Sequence, residues 1–355
     1  MRKKPIIIIS LVVVGIGALA VLRFKPWQTK TVAEKDPIHN GPNEEAKREL
    51  TVGYLPVTCH LTCPVTDYAS KTTESNTNFN SQRFMDFPTV VSALQAKQIQ
   101  ATFMIAPLAM KLRADGVPVK ICYLGHRDGS EIIIAKNNPA KSLRDMKGKK
   151  IAVPSLYSNQ YLVLNKLMEQ QKMDPKDIEF IVLPPPDMPT SLAAGAIDGY
   201  FVGEPFCAKA ELDGTGRVLY LARDIWPNFV SCALVVHEDL IKEKPEVVKD
   251  LVRGIAQSGQ WAEEHRAEAA KLVTPYYRQD QKVLNYVLTS SPHRVSYTQL
   301  TPTNKEFEEI KRMAMKLKII EKDVPIDELL ERSFIPKEIK AADIKLENIP
   351  EPKAR

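Results

Sequence analysis

The chain has 355 residues, 44% hydrophobic and 26% charged, with 49 basic and 43 acidic side chains giving a net charge of +6. That length is too great for one small core and argues for two globular lobes, and the composition excludes a disordered or fibrous chain. Five basic residues (Arg2, Lys3, Lys4, Arg23 and Lys25) sit at the N-terminus, so the remainder is nearly balanced and no nucleic-acid-binding field is expected.

Residues 1–4 are basic, and 5–22 form an apolar run interrupted only by Ser10. Residues 1–27 therefore read as either a signal peptide, with Ala18-Leu19-Ala20 as a small-residue cleavage site, or a retained membrane anchor. Either reading carries the rest of the chain across a membrane. Residues 28–49 are polar, contain Pro37 and Pro42, and read as a linker.

Two copies of one unit follow, offset by 98 positions. Pro56 matches Pro154, Pro88 matches Pro186, Leu94 matches Leu192 and Ala96 matches Ala194; Ile99 matches Ile197, Phe103 matches Phe201 and Pro107 matches Pro205. In each copy short apolar strands alternate with helices, which predicts an α/β fold of two similar lobes with mostly parallel sheets. The first lobe is expected over 50–130 plus 237–335 and the second over 131–236. Strands at 131–136 and 229–237 cross between them as a hinge. Ligands gather at the carboxyl ends of parallel strands, so loops 56–63, 105–108, 154–160 and 203–206 should face one another across a cleft. The C-terminal part predicts helices over 246–265, 281–289, 304–318 and 326–331, and residues 336–355 read as a flexible tail.

Several loop residues carry candidate chemistry. Thr58, Cys59, His60 and Thr62 precede Cys63 in the first-lobe loop. They fit a polar ligand-facing loop with His60 donating to an oxyanion, a redox pair of Cys59 and Cys63, or a fragment of a metal site. The stretch containing Ser155, Tyr157, Ser158, Asn159 and Gln160 lies before a predicted helix. Ser158 or Asn159 suits its N-cap, and the free N–H groups there attract an anion. Arg127 suits a bidentate clamp on a carboxylate or sulfonate, or a surface pairing with Asp128 or Glu131. Glu204 stands at a strand end facing the cleft, and Phe206 fits an apolar wall or the core. No nucleophile elbow, phosphate loop or zinc-protease motif occurs, so no catalytic residue, metal or cofactor is expected.

The stretch Leu192-Ala-Ala-Gly-Ala-Ile-Asp-Gly-Tyr-Phe-Val-Gly-Glu-Pro-Phe206, with Val52-Gly-Tyr-Leu-Pro56 and Gly148-Lys-Lys-Ile-Ala-Val-Pro-Ser155, resembles the ABC-importer substrate-binding proteins of the nitrate/sulfonate/bicarbonate group. The resemblance covers about residues 50–270 and implies a type II periplasmic-binding-protein fold. It also implies an extracytoplasmic, monomeric receptor that captures a small oxyanion by hinge closure and hands it to an ABC permease in the inner membrane. A thiamine-pyrimidine-precursor protein and a sensing ectodomain are the rival readings of the same fold. Departures concern the ligand. Where nitrate and bicarbonate members carry Thr-Asp-x-Ala-Pro, this chain runs from Thr58 to Asp67 without that pattern, and residues 71–81 replace a Gly-Leu-Phe landmark.

Overall fold

The computed structural model describes residues 47–290 and 293–349. The segment expected to be a signal or anchor, and all but the end of the linker, lie outside the described residues. Among the described residues, no helix is long and apolar enough to cross a membrane.

The chain begins with β1 (Arg48–Tyr54), α1 (Thr62–Thr72), β2 (Thr77–Arg83), α2 (Phe87–Gln95), β3 (Ala101–Met104), α3 (Ala106–Ala114) and β4 (Val119–Leu124). It crosses through the short β5 (Arg127–Asp128) into β6 (Ser130–Ala135). Then follow β7 (Lys149–Val153), α4 (Asn159–Gln170), β8 (Ile178–Val182), α5 (Met188–Ala193), β9 (Gly199–Gly203), α6 (Phe206–Leu212), β10 (Gly216–Leu221) and α7 (Ala222–Ile225). The return brings β11 (Ala233–His237), α8 (Glu238–Glu243), α9 (Pro245–Glu264), α10 (Arg266–Tyr277), α11 (Gln281–Thr289), β12 (Val295–Ser296), α12 (Asn304–Lys316) and α13 (Ile326–Leu329).

Two five-stranded sheets result, ordered β2-β1-β3-β11-β4 and β8-β7-β9-β6-β10. In each, the fourth strand runs antiparallel to both neighbours, so four of the five strands point the same way. That fourth strand is the one that arrives from the other lobe: β6 enters the second sheet and β11 the first. Arriving strands are covered on both faces, which explains the unbroken apolar runs Ile132-Ile133-Ile134 and Ala233-Leu234-Val235-Val236, all buried.

The 98-residue offset holds through whole elements: α1 projects onto 160–170 against α4 at Asn159–Gln170, and β4 onto 217–222 against β10 at Gly216–Leu221. The expected α/β class of two similar lobes with mostly parallel sheets is therefore what the chain forms. Differences of detail are physical. β11 begins at Ala233, so residues 229–232 are a crossing segment rather than strand. Residues 58–60 form a 3-10 turn and Thr62 opens α1, with Pro64 tolerated in its first turn, where the orphan N–H groups have no partner to lose. Thr77–Arg83 is an edge strand paired along its whole length with β1. The expected flexible tail is a correction as far as the described residues go. Ala342 N–H donates to the Gln257 carbonyl at 3.0 Å, the Tyr68 hydroxyl donates to the Asn348 carbonyl at 2.5 Å, and Ile344 and Ile349 are buried. The apolar side chains at 344 and 349 bring this stretch back to the first lobe, against the charge pattern around them.

Candidate functional site

The loop after β1 enters the meeting point of the lobes fully buried. Thr58, Cys59, His60 and Thr62 are each at most 3% exposed. Tyrosines from the C-terminal helices and their connections fix its backbone: the Tyr277 hydroxyl donates to the Val57 carbonyl at 2.7 Å and the Tyr297 hydroxyl to the Thr58 carbonyl at 3.0 Å. His60 is oriented by the Leu55 N–H, which donates to Nδ1 at 2.7 Å, and its ring lies against Phe87 and Phe103. Across the junction, the Thr58 N–H donates to the Glu204 carbonyl at 2.7 Å.

From the second lobe, Ser158 caps α4 by accepting from the Tyr161 N–H at 3.1 Å. The cap aims the next two side chains at the hinge. Asn159 Nδ2 donates to the Val230 and Ser231 carbonyls at 2.6 and 3.1 Å, and Gln160 Nε2 donates to Ser130 Oγ at 3.1 Å. The two crossings are tied together: Gly125 N–H donates to the Cys232 carbonyl at 2.8 Å and Asp128 N–H to the Phe229 carbonyl at 3.0 Å. Gly125 is required by close approach, because a Cβ there would stand 2.0 Å from the Cys59 carbonyl oxygen. Cys59 Sγ in turn lies 2.9 Å from Cys232 Sγ.

These contacts close a ring: Thr58 to Glu204, through Gly129 and Ser130 to Gln160 and Asn159, then Ser231, Cys232 and Cys59. Around it stand buried polar atoms without a well-aligned hydrogen-bond partner: His60 Nε2, Thr62 Oγ1, His126 Nδ1, Asn159 Oδ1, Gln160 Oε1 and Ser231 Oγ, of which His60 also bears on the Cys59 thiol and Ser231 on the Cys232 thiol. Buried polar groups are nearly always satisfied, so these atoms, drawn from both lobes and the hinge, are the candidates for contact with a bound polar molecule. Because Nδ1 of His60 accepts, its Nε2 carries the hydrogen and is a donor.

The electrostatics are those of neutral dipoles with one acidified thiol. Burial pushes His126 down to about 4, so its imidazole is uncharged at neutral pH; its Nε2 lies 2.9 Å from Thr58 Oγ1. For Cys59, burial alone would raise the thiol. The hydrogen bond with Cys232 and the adjoining His60 outweigh it and hold the thiol well below its ordinary value. Cys59, His60 and Cys232 place ligand atoms within 4.8 Å of one another. They do not suit a metal ion: His60 Nε2 bears a hydrogen, and the 2.9 Å sulfur separation is shorter than the ~3.8 Å between two thiolates on a tetrahedral zinc with Zn–S of ~2.3 Å.

Residues 43–274, more than half the chain, match the NMT1-like family. The chain belongs to that family. Among curated relatives, this NMT1-like chain is 25% identical over 245 residues to the nitrate import ATP-binding protein NrtC of Synechocystis, covering 64% of this chain and 37% of that protein. It is 28% identical over 191 residues to the taurine-binding periplasmic protein of Escherichia coli, covering 53% of this chain and 58% of that one. It thus spans only part of the length of these relatives. Among solved structures, a ligand-binding component of an ABC-type import system from Staphylococcus aureus, solved with zinc bound, superposes with a TM-score of 0.74. The identity is 26%, over 81% of this chain and 98% of that one.

In this NMT1-like chain not every residue singled out from the sequence joins the buried ring. Arg127 gives Nε to the Gln299 carbonyl at 2.8 Å and Nη1 to the Asn228 carbonyl and Glu306 Oε1 at 3.1 and 2.6 Å, so it ties both crossings to α12. Ser155 accepts from the Tyr157 N–H, and Tyr157 is exposed. Phe206 is buried in the core, its carbonyl accepting from the Tyr200 hydroxyl at 2.8 Å. A cavity of about 530 Å³ opens beside the ring between Trp226, Phe229, α12 and Asn159, with Arg127 and Glu306 in its lining.

Glu204 does not offer a free carboxylate. Its Oε1 lies 2.5 Å from Arg294 Nε, and its Oε2 accepts from the Ala208 N–H at the start of α6 at 2.9 Å. Arg294 also reaches Glu131 at 3.7 Å and Glu211 at 2.6 Å. Arg294 opposes the effect of burial on Glu204 chiefly by its charge and also by hydrogen bonding. Burial pushes both Glu131 and Glu204 up, the nearby Glu204 charge adding to the rise at Glu131 and Arg294 opposing both. Sequence reading missed His126, Ser231, Cys232 and Arg294. His126 adjoins Arg127 and was the one available clue; the others stand in unremarkable strings.

Proposed function

We propose that this NMT1-like chain is the extracytoplasmic solute-binding component of an ABC importer. It captures a small oxyanion of the nitrate, bicarbonate or sulfonate kind by closing two lobes over it, and delivers it to an ABC permease in the inner membrane. It works as a monomeric receptor and not as an enzyme. The observation that carries the reading is the set of buried polar atoms without a well-aligned partner, drawn from the loop after β1, the start of α4 and the hinge. Family membership and the import systems named among its relatives point the same way. His126 is neutral, and Arg127 and Arg294 already face carboxylates. The anion is therefore held by uncharged donors, with His60 Nε2–H and the hydroxyls foremost, rather than by an ion pair.

Titration calorimetry of the full chain against nitrate, bicarbonate, taurine and ethanesulfonate tests this. One of them is expected to bind with a stoichiometry of one. Asn159→Leu, which removes the link to Val230 and Ser231, is expected to weaken that binding about 5- to 150-fold, as losing a buried hydrogen-bonded group costs ~1–3 kcal/mol. Absence of heat with every anion, from a folded chain, overturns the reading.

A further inference from the structure

Cysteines 59 and 232 stand 173 positions apart in sequence, yet their sulfurs meet at 2.9 Å, with both residues buried. Neighbouring groups impose the meeting. The Gly125 N–H holds the Cys232 carbonyl, and the bare Cα of Gly125 lets the Cys59 backbone lie against the outgoing crossing. The other cysteines are placed apart from the pair and face carbonyl oxygens or apolar side chains: Cys63 Sγ lies 3.7 Å from the Val52 carbonyl and Cys207 Sγ 3.2 Å from the Val202 carbonyl, while Cys122 sits in the core. The redox pair expected within the loop, Cys59 with Cys63, is therefore not the one that the fold assembles.

We propose that Cys59 and Cys232 are a reversible thiol–disulfide couple whose oxidation fastens the loop after β1 to the return crossing. The oxidant is a disulfide, either a small one or that of a thiol–disulfide oxidoreductase. Cys59 thiolate attacks one sulfur of that disulfide and expels the other as a thiolate. The Cys232 thiol then loses its proton to the expelled thiolate and attacks Cys59 Sγ, releasing the second thiol. Two protein thiols are oxidised, one disulfide is reduced to two thiols, and no other reactant is consumed. Cys59 suits the attacking role because Cys232 Sγ, 2.9 Å away, and His60 stand beside its sulfur and favour the thiolate, and Cys232 suits the resolving role because its burial raises its thiol well above the ordinary value. The pair is covered when the lobes meet, so the first attack takes place with the lobes parted.

The test is thiol mapping of the full native chain after incubation with oxidised glutathione, followed by acid quenching, unfolding and alkylation. Of the five cysteines, two are expected to become unreactive. Digestion should yield one linked pair of peptides carrying Cys59 and Cys232, and dithiothreitol should dissolve it. Cys59→Ser should abolish the link and leave the other four thiols open to alkylation, whereas Cys232→Ser should abolish the link and leave glutathione trapped on Cys59, because the resolving thiol is gone. In the folded wild-type chain, five reactive thiols, a link from Cys59 to Cys63, or glutathione retained on Cys59 without transfer to Cys232 would each overturn the couple. Wild-type mapping decides the matter even if a serine variant fails to fold, and it does so without any solute, independently of the receptor reading.

Discussion

Replacing Arg294 with methionine is expected to cost about 3–5 kcal/mol of folding stability at pH 7, the usual penalty for removing one partner of a buried ion pair. Arg294 lies against Glu204 and Glu211 and approaches Glu131, with its guanidinium over the Tyr286 ring. Glu131 and Glu204 are at most 1% exposed, so neither carboxylate can turn to water when the arginine goes. Folding would then have to bury charge or take up protons. The direction with pH follows from the raised folded-state carboxyls. Above their folded values the full penalty applies; below the ordinary value of 4.5 both folded and unfolded chains are protonated and the difference from wild type shrinks. Urea unfolding of both proteins at pH 7 and pH 4.5 reads this directly. A loss below about 1 kcal/mol at pH 7 would mean that the cluster is not held by the arginine.

His126 gives the second large effect, with the opposite sign. Burial lowers its folded-state value to about 4 from an ordinary 6.5, so the unfolded chain takes up a proton that the folded chain refuses. Its contribution is fully present above pH 6.5 and is lost as pH falls towards 4, amounting to roughly 3 kcal/mol at ~1.4 kcal/mol per pKa unit. The buried carboxyls run the other way, so the comparison must be between wild type and His126→Gln, in which the carboxyl contribution cancels. The glutamine can still meet Thr58 Oγ1, and its stability is expected to fall less steeply between pH 6.5 and 4. Parallel curves for the two proteins would show that His126 is protonated in the folded chain.

The fold was legible because its signals are local and repeated. Pro56 and Pro154, Leu94 and Leu192, and Phe103 and Phe201 occupy corresponding places in two units, and each pair serves the same strand end or helix face in its own lobe. The helix over 281–289 could be read from the spacing of Val283, Leu284, Val287 and Leu288, all of which are buried. Ser158 announced the start of α4 because capping needs only the residues beside it. What escaped depends on distant pairing. Nothing near Cys232 says that it meets Cys59, and nothing near Arg294 says that it enters a nest of glutamates from another lobe. Arg127 illustrates the same limit from the other side. Its charge suggested a clamp on a ligand, whereas Glu306, 179 positions away, supplies the carboxylate it faces.

The most direct test is a crystal structure of the full chain with the tightest-binding anion from the calorimetric panel. The solute is expected to touch His60 or Thr62 from the first lobe and Asn159 or Gln160 from the second, with the two sheets brought together across it. A solute seated in the Trp226 cavity clear of these side chains, or held by one lobe alone, would contradict the proposal that the twin units close on a common ligand.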